Sequence, residues 1–320
     1  MALEPVTLAV DVGGSHIAIA LVSKSQIIDK EIFKAEPNLG MKHHLVHIEE
    51  VAKELVRDQK LGFDDLSGIG MALPMIVDPL RQRVLSTASR KYEDATEIDF
   101  EEWSTKAFGL RIKLEVDGNA GILGEWYYGA GRGVQDLAYV VLGTGYGSAV
   151  VMRGKPMRGR NYSAGILGGH FVANINGNKC VCPGSGCVEA ETGTWALDTI
   201  AKSMDGYHQS LVSKRDAIDY EGLFEDMKQG DAIASRLIRR SIKYWGASLV
   251  NLSLAYSPAK IILAGGILQA AGYIIPELNK YVRKQLWTPD GAPIISIAEF
   301  PEEAALRGIH VLVNESLDYL

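Results

Sequence analysis

Thr7-Leu8-Ala9-Val10-Asp11-Val12-Gly13-Gly14-Ser15-His16-Ile17-Ala18-Ile19-Ala20-Leu21-Val22 is the stretch that decides the fold. Two apolar runs, Thr7–Val10 and Ile17–Val22, flank a turn at Asp11–Ser15 that carries two glycines. That order predicts strand, tight turn, strand, and Gln26–Phe33 extends it to a three-stranded meander. The device returns about 130 residues later, and a repeat of that size points to two related α/β halves. Its second copy is Leu137–Leu142, then Gly143-Thr144-Gly145-Tyr146-Gly147-Ser148, then Ala149–Met152.

Working outward, apolar residues at helical spacing predict helices over Leu45–Val56, Ala120–Tyr128, Glu189–Ser203 and Asp231–Tyr256, with a last one from Glu302 to Leu317. Gly68–Leu73, Arg111–Val116 and Lys260–Leu263 read as strands, the last running into Ala264-Gly265-Gly266. No low-complexity tract or long linker separates the halves, so they are expected to pack closely around a cleft. The 320 residues are 47% hydrophobic and 22% charged, the balance of a soluble globular protein. A net charge of −6 disfavours a nucleic-acid binder that works by neutralising phosphates. No apolar run reaches the roughly 20 residues of a membrane helix. The amino terminus lacks the basic start of a secretory signal.

Glycines let backbone N–H groups approach a ligand closely, and successive N–H groups in a turn form an anion-binding concavity. Gly13, Gly14 and Ser15 suit phosphate oxygens, and Asp11 at the strand end suits a magnesium ion held by those phosphates. A plain hairpin without ligand is the alternative for a single such turn. The second turn, Gly143, Thr144, Gly145 and Gly147, has GxGxG spacing and is followed by a strand, which excludes the dinucleotide fingerprint. No Walker loop occurs. A pair of phosphate-clasping hairpins remains, with Gly265 and Gly266 offering a bare backbone to adenine or ribose.

Cys180, Cys182 and Cys187 are the only cysteines, and His170 lies ten residues upstream. Three thiolates and an imidazole make a complete tetrahedral zinc set, closed and therefore structural. Three buried free thiols are the alternative. Asp117 follows an apolar strand and precedes a helix, where an aspartate serves either as general base toward a hydroxyl or as a helix N-cap. His43, His44 and His47 read as a solvated helix face. Trp126, Tyr127 and Tyr128 read as core or dimer contacts, and Glu302, Glu303 and Arg307 as ordinary charge pairs.

With these segments assembled, the chain resembles the ROK family of sugar kinases and sugar-responsive repressors over nearly its whole length. Asp11–Ser15 and Gly143–Gly147 are similar to the family's two phosphate motifs. Cys180–Glu189 is similar to its CxCGxxGCxE signature, with Pro183 replacing the first glycine. The resemblance implies an actin/hexokinase-like (RNase H-like) duplicated α/β fold, one lobe of residues 1–117 plus 303–320 and another of 118–302 that carries the zinc loop. It implies ATP-dependent phosphorylation of a hexose or hexose derivative at a primary hydroxyl, with ATP, magnesium and structural zinc. Asp117 matches the catalytic base. His170 matches a zinc ligand that also neighbours the sugar, Glu189 and Asn119 match sugar contacts, and Gly265 and Gly266 match the adenosine site. Three positions depart: Leu167 replaces a sugar-binding glutamate, Val116 replaces an asparagine, and Ser89 stands nearest to where another asparagine is expected. The aspartate, magnesium and phosphate positions are intact, which favours altered specificity over lost catalysis. A non-catalytic sugar sensor is the alternative. The first strand starts within ten residues of Met1, leaving no room for the helix-turn-helix domain of the repressors. A cytoplasmic homo-oligomer is the remaining expectation.

Overall fold

The computed structural model describes residues 4–24, 26–87, 91–289 and 291–319. Ser89 lies outside them. The chain divides into two compact units. One takes in residues up to Gln135, Ala149–Ile166 and those from Ala298 on; the other comprises Asp136–Ser148 and Leu167–Ile297.

In the first unit, β1 (Val6–Val12), β2 (His16–Ser23) and β3 (Gln26–Lys34) form the expected meander. β4 (Leu66–Leu73) and β7 (Ile112–Val116) add parallel to β1, giving a sheet of order β3-β2-β1-β4-β7. A short hairpin of β5 (Ile76–Asp78) and β6 (Arg83–Ser86) stands apart. Because side chains alternate across a strand, β1 is buried on both faces in two different ways. Leu8, Val10 and Val12 pack with Leu45, Ile48 and Leu55 of α1 (Met41–Asp58). Ala9, with Ala20, Val22 and Ala72, packs against Leu306, Ile309 and Leu312 of α9 (Ala304–Asn314). Small residues on that face let α9 lie close to the sheet. α2 (Phe100–Phe108) is capped by Asp99, whose carboxylate accepts from the Glu102 N–H at 2.9 Å.

α3 (Asp117–Tyr127) belongs to the first unit, so the expected boundary after Asp117 moves to Gln135. The cause is packing: Gly124 of α3 and Gly308 of α9 leave no space for a Cβ against Ala304 and Ala120, so the two backbones touch. Glu125, fully buried, also binds the N–H groups of Glu299 and Phe300 at 3.0 and 2.7 Å.

The second sheet repeats the first: β10 (Lys155–Pro156), β9 (Tyr146–Met152), β8 (Leu137–Leu142), β11 (Lys260–Ala264), β12 (Ile294–Ile297). β8, β11 and β12 run parallel, as β1, β4 and β7 do. Two sheets of one order confirm the duplicated actin/hexokinase-like fold.

The helix expected over Glu189–Ser203 is broken into α4 (Val188–Thr192) and α5 (Leu197–Lys202). Gly193 turns extended, and Thr194 donates through Oγ1 to the Gly143 carbonyl at 3.1 Å, pulling the chain off the helix axis. α6 (Tyr220–Lys228), α7 (Ala232–Tyr256) and α8 (Ala271–Gln285) complete the second unit, with Trp245 of α7 buried. The histidine reading is corrected at His44, which is buried rather than solvated. It bonds the Gly40 carbonyl and the Glu36 N–H, whereas His43 and His47 are exposed. Among the described residues no helix is long and apolar enough to cross a membrane.

Candidate active site and metal centre

Parallel pairing brings the two key carboxylates to one sheet edge. Asp11 pairs with Ala72 of β4, and Val116, just before Asp117, pairs with Leu73. Both aspartates therefore stand at the carboxyl ends of the two parallel strands that flank β4, where α/β sheets bind ligands. The first turn is closed by the Gly13 N–H donating to the His16 carbonyl at 2.9 Å. A Cβ on Gly13 would sit 2.8 Å from that oxygen, which explains the glycine. The Tyr92 hydroxyl donates to the Gly13 carbonyl at 2.9 Å and steadies the turn from outside.

Burial, with the Asp117 charge second, pushes the Asp11 carboxyl up to about 7. Burial raises Asp117 to about 6 against the opposing pull of the Gly118 N–H, at 2.6 Å, and of the Lys91 charge. The tip of Asp117 is nevertheless reached by solvent. Two acids so placed titrate close to neutrality, where a general base must work.

Asp11 carries a stability consequence. Its folded value lies above the ordinary one, so between about pH 4 and 7 the folded chain binds the extra proton, and stability falls as pH rises through that window. Asp11→Asn removes the cost. Melting scans without magnesium should show the variant more stable than the parent at pH 8, by on the order of 1–2 kcal/mol after allowing for solvent reach. The gain should fade toward pH 4. A gain independent of pH would refute the assignment.

Lys91 has no sequence motif to announce it. Its Nζ lies 3.3 Å from where a Cβ on Gly14 would stand, so an ammonium overhangs the first glycine turn while acting on Asp117.

The second turn is built from within its own unit. The Gly143 N–H donates to the Gly145 carbonyl at 3.1 Å, and Thr194 holds Gly143 as described. Glu189, expected as a sugar contact, accepts from the Tyr146 N–H through Oε2 at 3.0 Å and leaves no room for a side chain at Gly145. Among the described residues its Oε1 makes no hydrogen bond. Gly265, at φ +101°, ends β11 against the Leu142 carbonyl, with Gly266 open beside it.

Asn119 is turned inward. It is buried, donates to Glu115 Oε1 at 3.1 Å, and among the described residues its own Oδ1 has no partner. Glu115 also accepts from the Val116 N–H at 2.8 Å and from both terminal nitrogens of Arg158, whose guanidinium lies 4.1 Å from the Tyr319 ring. This buried knot braces the strand end that carries Asp117.

His170, Cys180, Cys182 and Cys187 come together with their four donor atoms within 4.8 Å of one another. His170 Nδ1 is 3.5 Å from Cys180 Sγ, and the Cys182 and Cys187 sulfurs are 3.6 Å apart. Zinc–sulfur bonds of about 2.3 Å in a tetrahedron require sulfurs about 3.8 Å apart. The Gly184 N–H donates to Cys182 Sγ at 3.4 Å, as a metal-binding knuckle does. The donor set fits zinc.

The family model described as "ROK family" matches residues 7–316. The glucokinase of Thermotoga maritima is 27% identical over 97% of this chain and 98% of its own. A xylose repressor from Bacillus spizizenii is 24% identical over 78% of this chain and 63% of the repressor. Among solved structures, a ROK family glucokinase from Streptomyces griseus, in complex with glucose and AMPPNP, superposes with a TM-score of 0.77. It is 25% identical and covers 96% of this chain and 98% of that one.

Proposed function

Because the chain belongs to the ROK family, we propose that it is an ATP-dependent kinase phosphorylating a primary hydroxyl of a hexose or hexose derivative. The observation that carries this is the Asp11–Asp117 pair at one sheet edge, both raised toward neutrality, with a glycine turn beside it.

Asp117 takes the proton from the attacking hydroxyl. Its value of about 6 leaves it ionised at neutral pH yet close enough to accept. Asp11 would hold magnesium, which when bound neutralises phosphate charge. The turn Gly13–Ser15 and the turn Gly143–Gly147 offer N–H groups to phosphates, and Gly265 with Gly266 to the adenosine. Glu189 Oε1 and His170 serve the sugar, and Asn119 acts through Glu115. Structural zinc in the three-cysteine, one-histidine cluster would fix the loop from which His170 reaches the sugar. Leu167, 40% exposed, stands where the family carries a sugar-binding glutamate, so one hydroxyl lacks that partner, which favours altered sugar specificity. ATP consumption against a panel of hexoses, hexosamines and glycosides tests the reading. Silence across the panel from folded, zinc-loaded protein would overturn it. The repressor relative and the changed position 167 favour a sugar sensor as second reading; calorimetry showing sugar binding without ATP binding would establish it.

Lys91, beside the first glycine turn, would offset the negative charge of the transferred phosphoryl group. Lys91→Met should lower kcat on the order of 100-fold with little change in KM for the sugar. Because Lys91 holds Asp117 down, the acid limb of the rate profile should also move to higher pH in the variant. An unmoved limb would assign Lys91 a structural role.

A further inference from the structure

α7 of the second unit contains four basic residues and no acidic one in 25 residues, within a chain whose net charge is −6. Arg236, Arg240 and Lys243 fall at intervals of four and three, and Arg239 flanks them, so the charges share one helix face. Like charges at those intervals destabilise a helix. A face shaped for stability alone would intersperse carboxylates. Among the described residues only Arg240 of the four is ion-paired, to the fully buried Glu191. Arg236 bonds just the Asp205 carbonyl, and among the described residues neither Arg239 nor Lys243 has an acidic partner.

These four side chains border an open cavity of about 560 Å³, which Met204, Ala247, Tyr244 and Tyr281 also line. Its size falls within the roughly 300–1,000 Å³ of small-molecule sites. The cavity is also pre-organised. Glu191 fixes Arg240, whose guanidinium lies 4.6 Å from the centre of the Tyr244 ring. The Tyr244 hydroxyl accepts from Asn174 Nδ2 at 3.3 Å, which leaves its own proton to donate. Arginine forks, a lysine and a hydroxyl donor round a concave floor recognise phosphate oxygens.

We propose that this cavity binds a small multiply phosphorylated metabolite, at a site made wholly within the second unit and independent of Asp11, Asp117 and the glycine turns. Arg239 and Lys243 contact the anion, Arg240 and Tyr244 orient it, and Tyr281 covers its uncharged part. A concave site of this size suits a compact polyanion better than a duplex, whose charge needs an extended basic surface.

The test is calorimetric titration of the full chain with inorganic tripolyphosphate and, separately, fructose 1,6-bisphosphate, in the presence of AMPPNP. Arg239→Ala/Lys243→Ala is compared with the parent; both residues are exposed, so the variant keeps its fold and its melting temperature. At least one probe should bind the parent, weaken with added salt, and lose about tenfold or more in affinity in the double variant. Tyr244→Phe should cost a smaller factor, about threefold. Equal affinity in parent and double variant, or no binding of either probe, overturns the proposal. So does a 20-base-pair DNA duplex whose binding needs Arg239 and Lys243 while the small probes do not bind. The readout is binding, so a chain that proves inactive on sugars leaves the result intact.

Discussion

Asp117→Asn should abolish sugar phosphorylation, lowering kcat on the order of 1,000-fold or more, while ATP affinity changes less than about twofold. The substitution keeps volume and shape. The asparagine Oδ1 can still accept the Gly118 N–H that Asp117 accepts at 2.6 Å, so the start of α3 is undisturbed. What is lost is the only function asparagine cannot perform, accepting a proton from the attacking hydroxyl. The parent enzyme should show kcat/KM rising with pH and levelling above about 6, since the base works only when ionised. Asp11, at about 7 and coupled to Asp117, broadens that limb, and magnesium bound to Asp11 would sharpen it. The residual rate of the variant should be flat across this range. A drop of less than tenfold, measured by a coupled ATP assay beside equilibrium ATP binding, would remove Asp117 from the role of base.

How much of this was legible beforehand depends on the range of the interaction. Hairpin turns and strand periodicity are local, so β1, β2, β3 and the second copy of the device were readable from Thr7–Phe33 and Leu137–Met152 directly. The cysteine cluster was readable because metal ligation restricts residue type as well as spacing. Position of the lobe boundary was not, since it rests on Gly124 and Gly308, about 180 residues apart, letting α3 and α9 touch. The same holds for Lys91 and Arg158, single basic residues without motif whose meaning comes only from what the fold sets beside them. Glu189 was legible as functional but not as the brace of the second glycine turn. Gly193 could have signalled the broken helix, because a glycine inside an apolar helical pattern lowers confidence in its continuity.

Cys182→Ser separates the metal centre from the chemistry. Cys182 is the better choice over His170, which the proposed function also gives to the sugar. The loop Asn174–Cys187 buries little apolar surface, and Ile175 and Val181 are exposed at 86% and 51%, so packing contributes little to holding it. Its order rests on backbone bonds, such as Cys180 N–H to the Gly184 carbonyl at 3.2 Å, on Asn178, whose N–H and Nδ2 donate to the buried Glu191 at 2.7 and 2.9 Å, and on the four donor side chains. Structural zinc in small sites contributes on the order of 10 kcal/mol to the folded form, so most of the loop's stability should disappear with one ligand. Purified parent protein should carry one zinc per chain by elemental analysis and the variant none. Limited proteolysis should then cut the variant within residues 174–187 while the two sheets survive. Sugar phosphorylation should fall together with zinc content, both in the variant and in the parent treated with a chelator, whereas ATP binding persists. A zinc-free parent that resists cleavage at this loop would show that the three thiols and the imidazole are held together by packing alone.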